Sequence, residues 1–193
     1  MADPLTTIIT FLGGGIIGAI IHYASTARSE RQRRHSNYVH EQLDRLYGPL
    51  YFLTNQNDEL LDLSKKILEK HAEYFDGSNW SKDPNTQKSL QKESLQTIEL
   101  SNTYADQVVE NNGKIISLFR DNYAYVDHED VELFTTFTID AIRMNKEVTE
   151  KRMQTIPLNI YKEIGEISYS RPEFLGRVKT QFEDKQKILR EYH

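Results

Sequence analysis

Residues Leu5 to Ala24, LTTIITFLGGGIIGAIIHYA, contain no Lys, Arg, Asp or Glu, and Arg28, Arg31, Arg33 and Arg34 follow directly. At about 1.5 Å per residue such a run forms a helix of roughly 30 Å, the thickness of a bilayer's hydrocarbon core. Thr6, Thr7, Thr10 and four glycines dilute its Ile and Leu. Asp3 is the only charged side chain before it, so the excess of basic residues after the run puts the N-terminus outside and the bulk of the chain in the cytoplasm. Ser25-Thr26-Ala27 offers small residues at a signal-peptidase spacing, but no basic region precedes the apolar run. The expectation is an uncleaved single-pass anchor over 1–27 in a bacterial inner membrane. A basic juxtamembrane helix follows over 28–47, and an acidic cytosolic domain over 48–193.

Within the span, Thr6, Thr10, Gly14, Gly18 and His22 recur every fourth residue and give an inclined stripe of small or polar side chains. Gly14-x-x-x-Gly18 and Gly15-x-x-x-Ala19 allow a second helix to approach closely, which points to a homo-oligomer joined through this face.

Charge is distributed unevenly. Residues 1–27 carry −1, residues 28–35 carry +3, and the remainder carries −7 of the total −5. An acidic domain behind a short basic collar lacks the footprint of a general nucleic-acid binder, so no nucleic-acid partner is expected. The collar is instead a topology signal that can also meet anionic headgroups. Cysteine is absent, which excludes disulfides, a thiol nucleophile and thiolate metal sites.

Beyond the span the pattern is helical almost throughout, and the expected fold class is all-α, an antiparallel bundle of about four to five helices. A first segment, Ser29 to Tyr47, meets Gly48-Pro49, where proline interrupts the hydrogen-bond ladder and kinks or ends the helix. Leu50, Leu53, Leu60, Ile67 and Leu68 continue helical spacing to about Phe75. A turn-rich stretch, Asp76 to Pro84, precedes a long helix over Thr86 to Asn122, with Leu90, Leu95, Ile98, Val108, Ile115 and Phe119 inward. Asn102, Asn111 and Asn112 accompany this stripe as candidate buried amides. After a break at Tyr123 to Val126, Asp127 is placed to cap a helix through Val148, with Val131, Phe134, Ala141 and Ile142 inward. Pro157 and Pro172 each suit a first helical turn and predict helices over 157–168 and 172–192, the latter burying Phe174, Val178, Phe182 and Leu189.

Chemistry is sparse. Consecutive residues on a helix diverge, so His128-Glu129-Asp130 cannot converge on one ion, and they read as acidic side chains at a helix N-terminus. His71 with Glu69 and Glu73 lacks metal-bundle spacing. Glu163 and Glu166, near Tyr161 and Tyr169, are spaced as ordinary surface residues. No phosphate-cradling loop or nucleophile elbow occurs. No catalytic, cofactor-binding or metal-binding residue is expected, and the chain is not read as an enzyme.

The aromatic string Leu46-Tyr47-Gly48-Pro49-Leu50-Tyr51-Phe52 is more informative. Tyr47, Tyr51 and Phe52 either dock a protein partner or plug the bundle against its own first helix, and the plug is preferred. Arg171 is a second candidate contact. The layout resembles uncharacterised small bacterial proteins in which one N-terminal membrane helix leads into a cytosolic helical region bearing a Leu-Tyr-Gly-Pro-Leu-Tyr string, here Leu46 to Tyr51. The resemblance implies an anchored helical domain and brings no activity with it; some small bacterial membrane proteins of this plan act in phage defence. The functional expectation is a membrane-anchored, non-enzymatic interaction or oligomerisation module. The alternative is a membrane-perturbing effector whose bundle senses a partner or ligand.

Overall fold

A proline flanked by helix formers makes a chain choose between stopping, kinking and absorbing the defect, and here the defect is absorbed. The computed structural model describes the backbone of residues 4–75, 84–150 and 172–192, and the side chains of 22–67, most of 84–146 and 172–192. Helix α1 (Pro4–Gln42) passes through a π-helical turn (Leu43–Tyr47) directly into α2 (Gly48–Phe75). In the turn the Gly48 N–H donates to the Leu43 carbonyl five residues back. This accommodates one extra residue just ahead of Pro49, whose missing N–H and ring would otherwise disrupt an α-helical turn. Gly48 is required by close approach, since a Cβ there would lie 2.7 Å from the Leu43 carbonyl oxygen.

Helix α3 (Pro84–Asp121) runs antiparallel to α2. Two short 3₁₀ turns, Tyr123–Tyr125 and His128–Asp130, reverse the chain into α4 (Val131–Glu150), which packs on α3, and α5 (Pro172–Glu191) runs antiparallel to the α1–α2 rod. Every regular element among the described residues is helical, in agreement with the all-α expectation. Boundaries fall within two residues of those expected for α3 and α5. Of the expected loop Asp76 to Pro84, Pro84 opens α3, while 76–83, the expected helix at 157–168 and Arg171 lie outside the described residues.

Among the described residues no helix is long and apolar enough to cross a membrane. The side chains of 1–21, on which the expected span rests, lie outside them, and what is described there is an unbroken helical backbone.

The core is aromatic where four helices meet. Phe119 stacks on Phe134 (centroids 4.4 Å apart), Phe137 stacks on Phe174 (4.0 Å), and Phe174 meets Phe119 edge-on (6.0 Å). Leu43, Leu46, Tyr47, Leu50, Ile115 and Val178 close around them. The predicted inward positions Ile98, Val108, Ile115, Phe119, Phe134, Ala141, Phe174 and Val178 are buried. Two are corrected. Leu95 is 51% exposed and Ile142 58% exposed, because the buried arc of α4 follows Phe134, Phe137, Ala141 and Met144 and leaves Ile142 beside it.

Further along, α2 and α3 are joined by amides as well as by hydrocarbon, the latter being Val108 and Met144 against Leu60 and Leu61. The Asn57 side chain donates to Asn112 (3.0 Å) and accepts from Asn111 (2.9 Å); Asn111 also donates to Gln56 and accepts from Gln107; Asn112 donates to Asn145 on α4 (3.1 Å). Ser64 and Ser101 pair at 3.0 Å one level beyond. Asn111 and Asn112 are thus buried, satisfied amides as expected, and Asn102 is half-buried. Replacing Asn57 with Leu strands two buried amides, so Asn57→Leu should lower unfolding free energy by about 1–3 kcal/mol in urea titration, despite adding apolar volume. A stability equal to or above wild type would show that the ladder is not supporting the bundle.

Candidate functional site

Tyr47 is fully buried, and its ring carries a hydroxyl that must find partners inside the bundle. It donates to Asp130 Oδ2 at 2.9 Å and accepts from the Asp127 backbone N–H at 3.1 Å. Both aspartates come from the reversal between α3 and α4, 80 and 83 residues from Tyr47. Two cations from α5 complete the cluster. Lys185 Nζ lies 2.7 Å from Asp127 Oδ2 and 4.5 Å from the centroid of the Tyr47 ring, and Arg177 Nε donates to Asp130 Oδ1. Gln42, at the last position of α1, donates to Asp127 Oδ1 (2.8 Å) and to the Tyr125 carbonyl (2.9 Å). All four carboxylate oxygens of the two aspartates therefore have a donor, the condition for keeping charge in an interior.

The electrostatics follow from this wiring. Burial pushes the Tyr47 phenol far above its ordinary value, assisted by the Asp130 and Asp127 charges and opposed by the Asp127 N–H, so it is a neutral donor at physiological pH. Burial works against ionisation of Asp127, but hydrogen bonds from Lys185 and Gln42 and the Lys185 charge prevail and hold its carboxyl below the usual value. The bond to Asp130 raises Arg177 further above its already high value. Tyr38 is raised by burial and by the Asp127 charge. With a neutral phenol and saturated carboxylates, the cluster is a lock between elements and contains no spare acid, base or nucleophile.

The residues singled out from sequence are dispersed. Thr6, Thr10, Gly14 and Gly18 lie outside the described side chains, and His22 is exposed. Arg28, Arg31, Arg33 and Arg34 are exposed, with Arg34 paired to Glu30 at 3.2 Å. Tyr47 belongs to the interior, which corrects its reading as a partner surface and agrees with the plug. Tyr51 is half-buried and stacked on Phe182 at 4.5 Å. Phe52 alone of the three faces solvent, 65% exposed, on an open groove of about 670 Å³ that Pro49, Leu53, Gly113, Lys114 and Leu118 also line. Among the described residues no cluster of acidic or histidine side chains could hold a metal ion. Asp127 to Asp130 does lie at the start of a helix, but the reading of Asp127 as its side-chain cap is corrected. Asp130 is fully buried, and Asp127 makes no side-chain cap but spends its carboxylate on Gln42 and Lys185.

The sequence reading passed over Gln42, Arg177 and Lys185. Lys185 offered a signal, because it falls on the same helical stripe as Phe174, Val178 and Phe182, where an apolar residue would be expected. No family model, curated protein or solved structure matches the chain.

Tyr47→Phe keeps the ring and leaves Asp130 and the Asp127 N–H each short of a partner, so urea titration should show a loss of about 1–3 kcal/mol. Because the folded Asp127 carboxyl lies below its unfolded value near 4, its contribution is complete above that pH and disappears as pH falls through the lower folded value. Asp127→Asn should therefore be less stable than wild type at pH 7 and decline less between pH 5 and pH 3. Parallel declines would remove Asp127 from the acid response.

Proposed function

We propose that the chain is a membrane-anchored, non-enzymatic module that self-associates through its N-terminal helix and holds an acidic helical bundle at the inner face of a bacterial membrane. The observation that carries this reading is the unbroken helical path from Pro4 through the basic collar and the π turn to Phe75. A helix that leaves its uncharged segment without a break and is bonded to the bundle through Gln42 and Tyr47 links packing at its N-terminal end to the domain. The charge-free run from Leu5 to Ala24 followed by exposed arginines supports insertion in one orientation. The stripe of Thr6, Thr10, Gly14, Gly18 and His22 supports close helix–helix approach. Saturation of every charge in the buried cluster supports a scaffold over a catalyst.

The test is the mass of the full-length protein in mild detergent beside that of a chain beginning at Ser36. An oligomer that becomes monomeric on truncation, and on Gly14→Leu with Gly18→Leu in the full chain, is the expected outcome. A full-length monomer, or an oligomer indifferent to both changes, would overturn association through this helix.

A further inference from the structure

We propose that the groove between α2 and α3 takes the outer face of α4 from a second copy of this chain, so that bundles associate head to tail. The groove is apolar at its centre, where Pro49, Phe52 and Leu118 surround Gly113. Gly113 leaves a gap there, since a Cβ would meet nothing within 4 Å. The matching surface is on α4. Ile139 is 62% exposed, and Ile142, nearly one turn further on, is also exposed. Both lie on the side of α4 away from the buried arc of Phe134, Phe137, Ala141 and Met144. A single exposed isoleucine is ordinary. A pair on one face, in a chain that also carries an unfilled apolar groove, is what an interface presents.

Charge selects this occupant. Asn112 bonds to Asn145 and Phe119 stacks on Phe134, so heights along α4 read directly against heights along α3. Ile139 and Ile142 stand level with the stretch from Gly113 to Ser117. Arg143 and Lys146, both exposed, stand level with Glu110 on the rim of the groove. Glu132 stands level with the Arg120–Asp121 pair. When two copies meet side by side with their axes aligned, the isoleucines enter the groove as Arg143 and Lys146 reach Glu110. Glu110 already holds Lys114, and Arg143 lies 3.7 Å from Asp140, but such surface pairs contribute little and exchange partners readily. The two surfaces differ, so the contact is heterologous and repeats from copy to copy. Aligned axes also send every α1 the same way. The contact lies wholly within the bundle and does not depend on association through the N-terminal helix.

The native chain has no cysteine, so the contact can be read by cross-linking the full-length protein. Ser117→Cys places a thiol in the groove and Thr135→Cys places one on the exposed face of α4, and neither touches Phe52, Ile139 or Ile142. The two variants, co-expressed, extracted in mild detergent and treated with a short bis-maleimide, should give a cross-linked dimer. Each expressed alone should give none. A chain carrying both changes should give a ladder of dimer, trimer and higher products. Glu110→Lys in the Ser117→Cys chain should lower the dimer yield about tenfold, and Arg143→Glu with Lys146→Glu in the Thr135→Cys chain should restore it. Dimer from the Ser117→Cys protein alone would mean a two-fold contact and would overturn the proposal. So would co-expressed variants that give no dimer, or a charge reversal without effect or without rescue, in proteins whose circular dichroism matches wild type.

Discussion

A phenol hydroxyl that donates to the buried Asp130 carboxylate and accepts from the Asp127 N–H sets the terms for the rest of this fold. A charge withdrawn from water costs several kcal/mol unless its partners arrive with it. Asp130 can be interior, and Asp127 half-buried, only if α5 brings Lys185 and Arg177 and the rod brings Gln42 and Tyr47 to the same place. None of these contacts is local in sequence. The α3–α4 reversal, the end of α1 and the middle of α5 are therefore fixed relative to one another by a single condition, that six polar side chains complete each other or none is buried.

Stability alone does not require such a cluster, since apolar residues of similar volume often serve as well. What hydrocarbon cannot supply is discrimination. The stacked phenylalanines at Phe119, Phe134, Phe137 and Phe174 would accept many small slides of one helix on another, whereas a one-residue slide at Asn57, Asn111, Asn112 and Asn145 breaks every amide bond in the ladder. Tyr47 and Asn57 are ten residues apart on one helical rod, about 15 Å. Two polar fixtures at that separation determine position along the rod and rotation about it, and the aromatic core between them provides the bulk of the burial.

Much of the helical plan was legible because it is periodic. The stripes of α3 and α5 and the proline at the start of α5 carry their own signal, and Asn111 and Asn112 stand on a buried stripe where only paired amides are tolerable. The π turn was half legible. Gly48-Pro49 announces a defect, but whether a helix stops, kinks or widens depends on what packs around it, and that is set by α5 and by Asp127. The cluster itself was not legible. Asp127 to Asp130 has the composition of an ordinary exposed helix start, and only the arrival of Lys185 from nearly sixty residues away makes it an interior. Ile142 and Leu95 fail for a related reason. Each lies at the edge of an apolar arc, and which edge is covered follows from the neighbouring helix, not from the arc.

The position of the lock along the rod has a mechanical consequence. Gln42 lies on one side of the π turn and Tyr47 at its other end, yet both are bonded to the same short segment, Asp127 to Asp130. The turn is thus clamped across its own length. Torque applied to α1 from its N-terminal end meets almost no packing until it reaches Val39 and Gln42, and there it acts on a few hydrogen bonds before it reaches any large apolar contact. Hydrogen bonds are directional and break over small displacements, while the apolar contacts of the stacked rings beneath them survive such slides. The first element to yield under such a load is accordingly the turn, and the bundle below it moves as a unit.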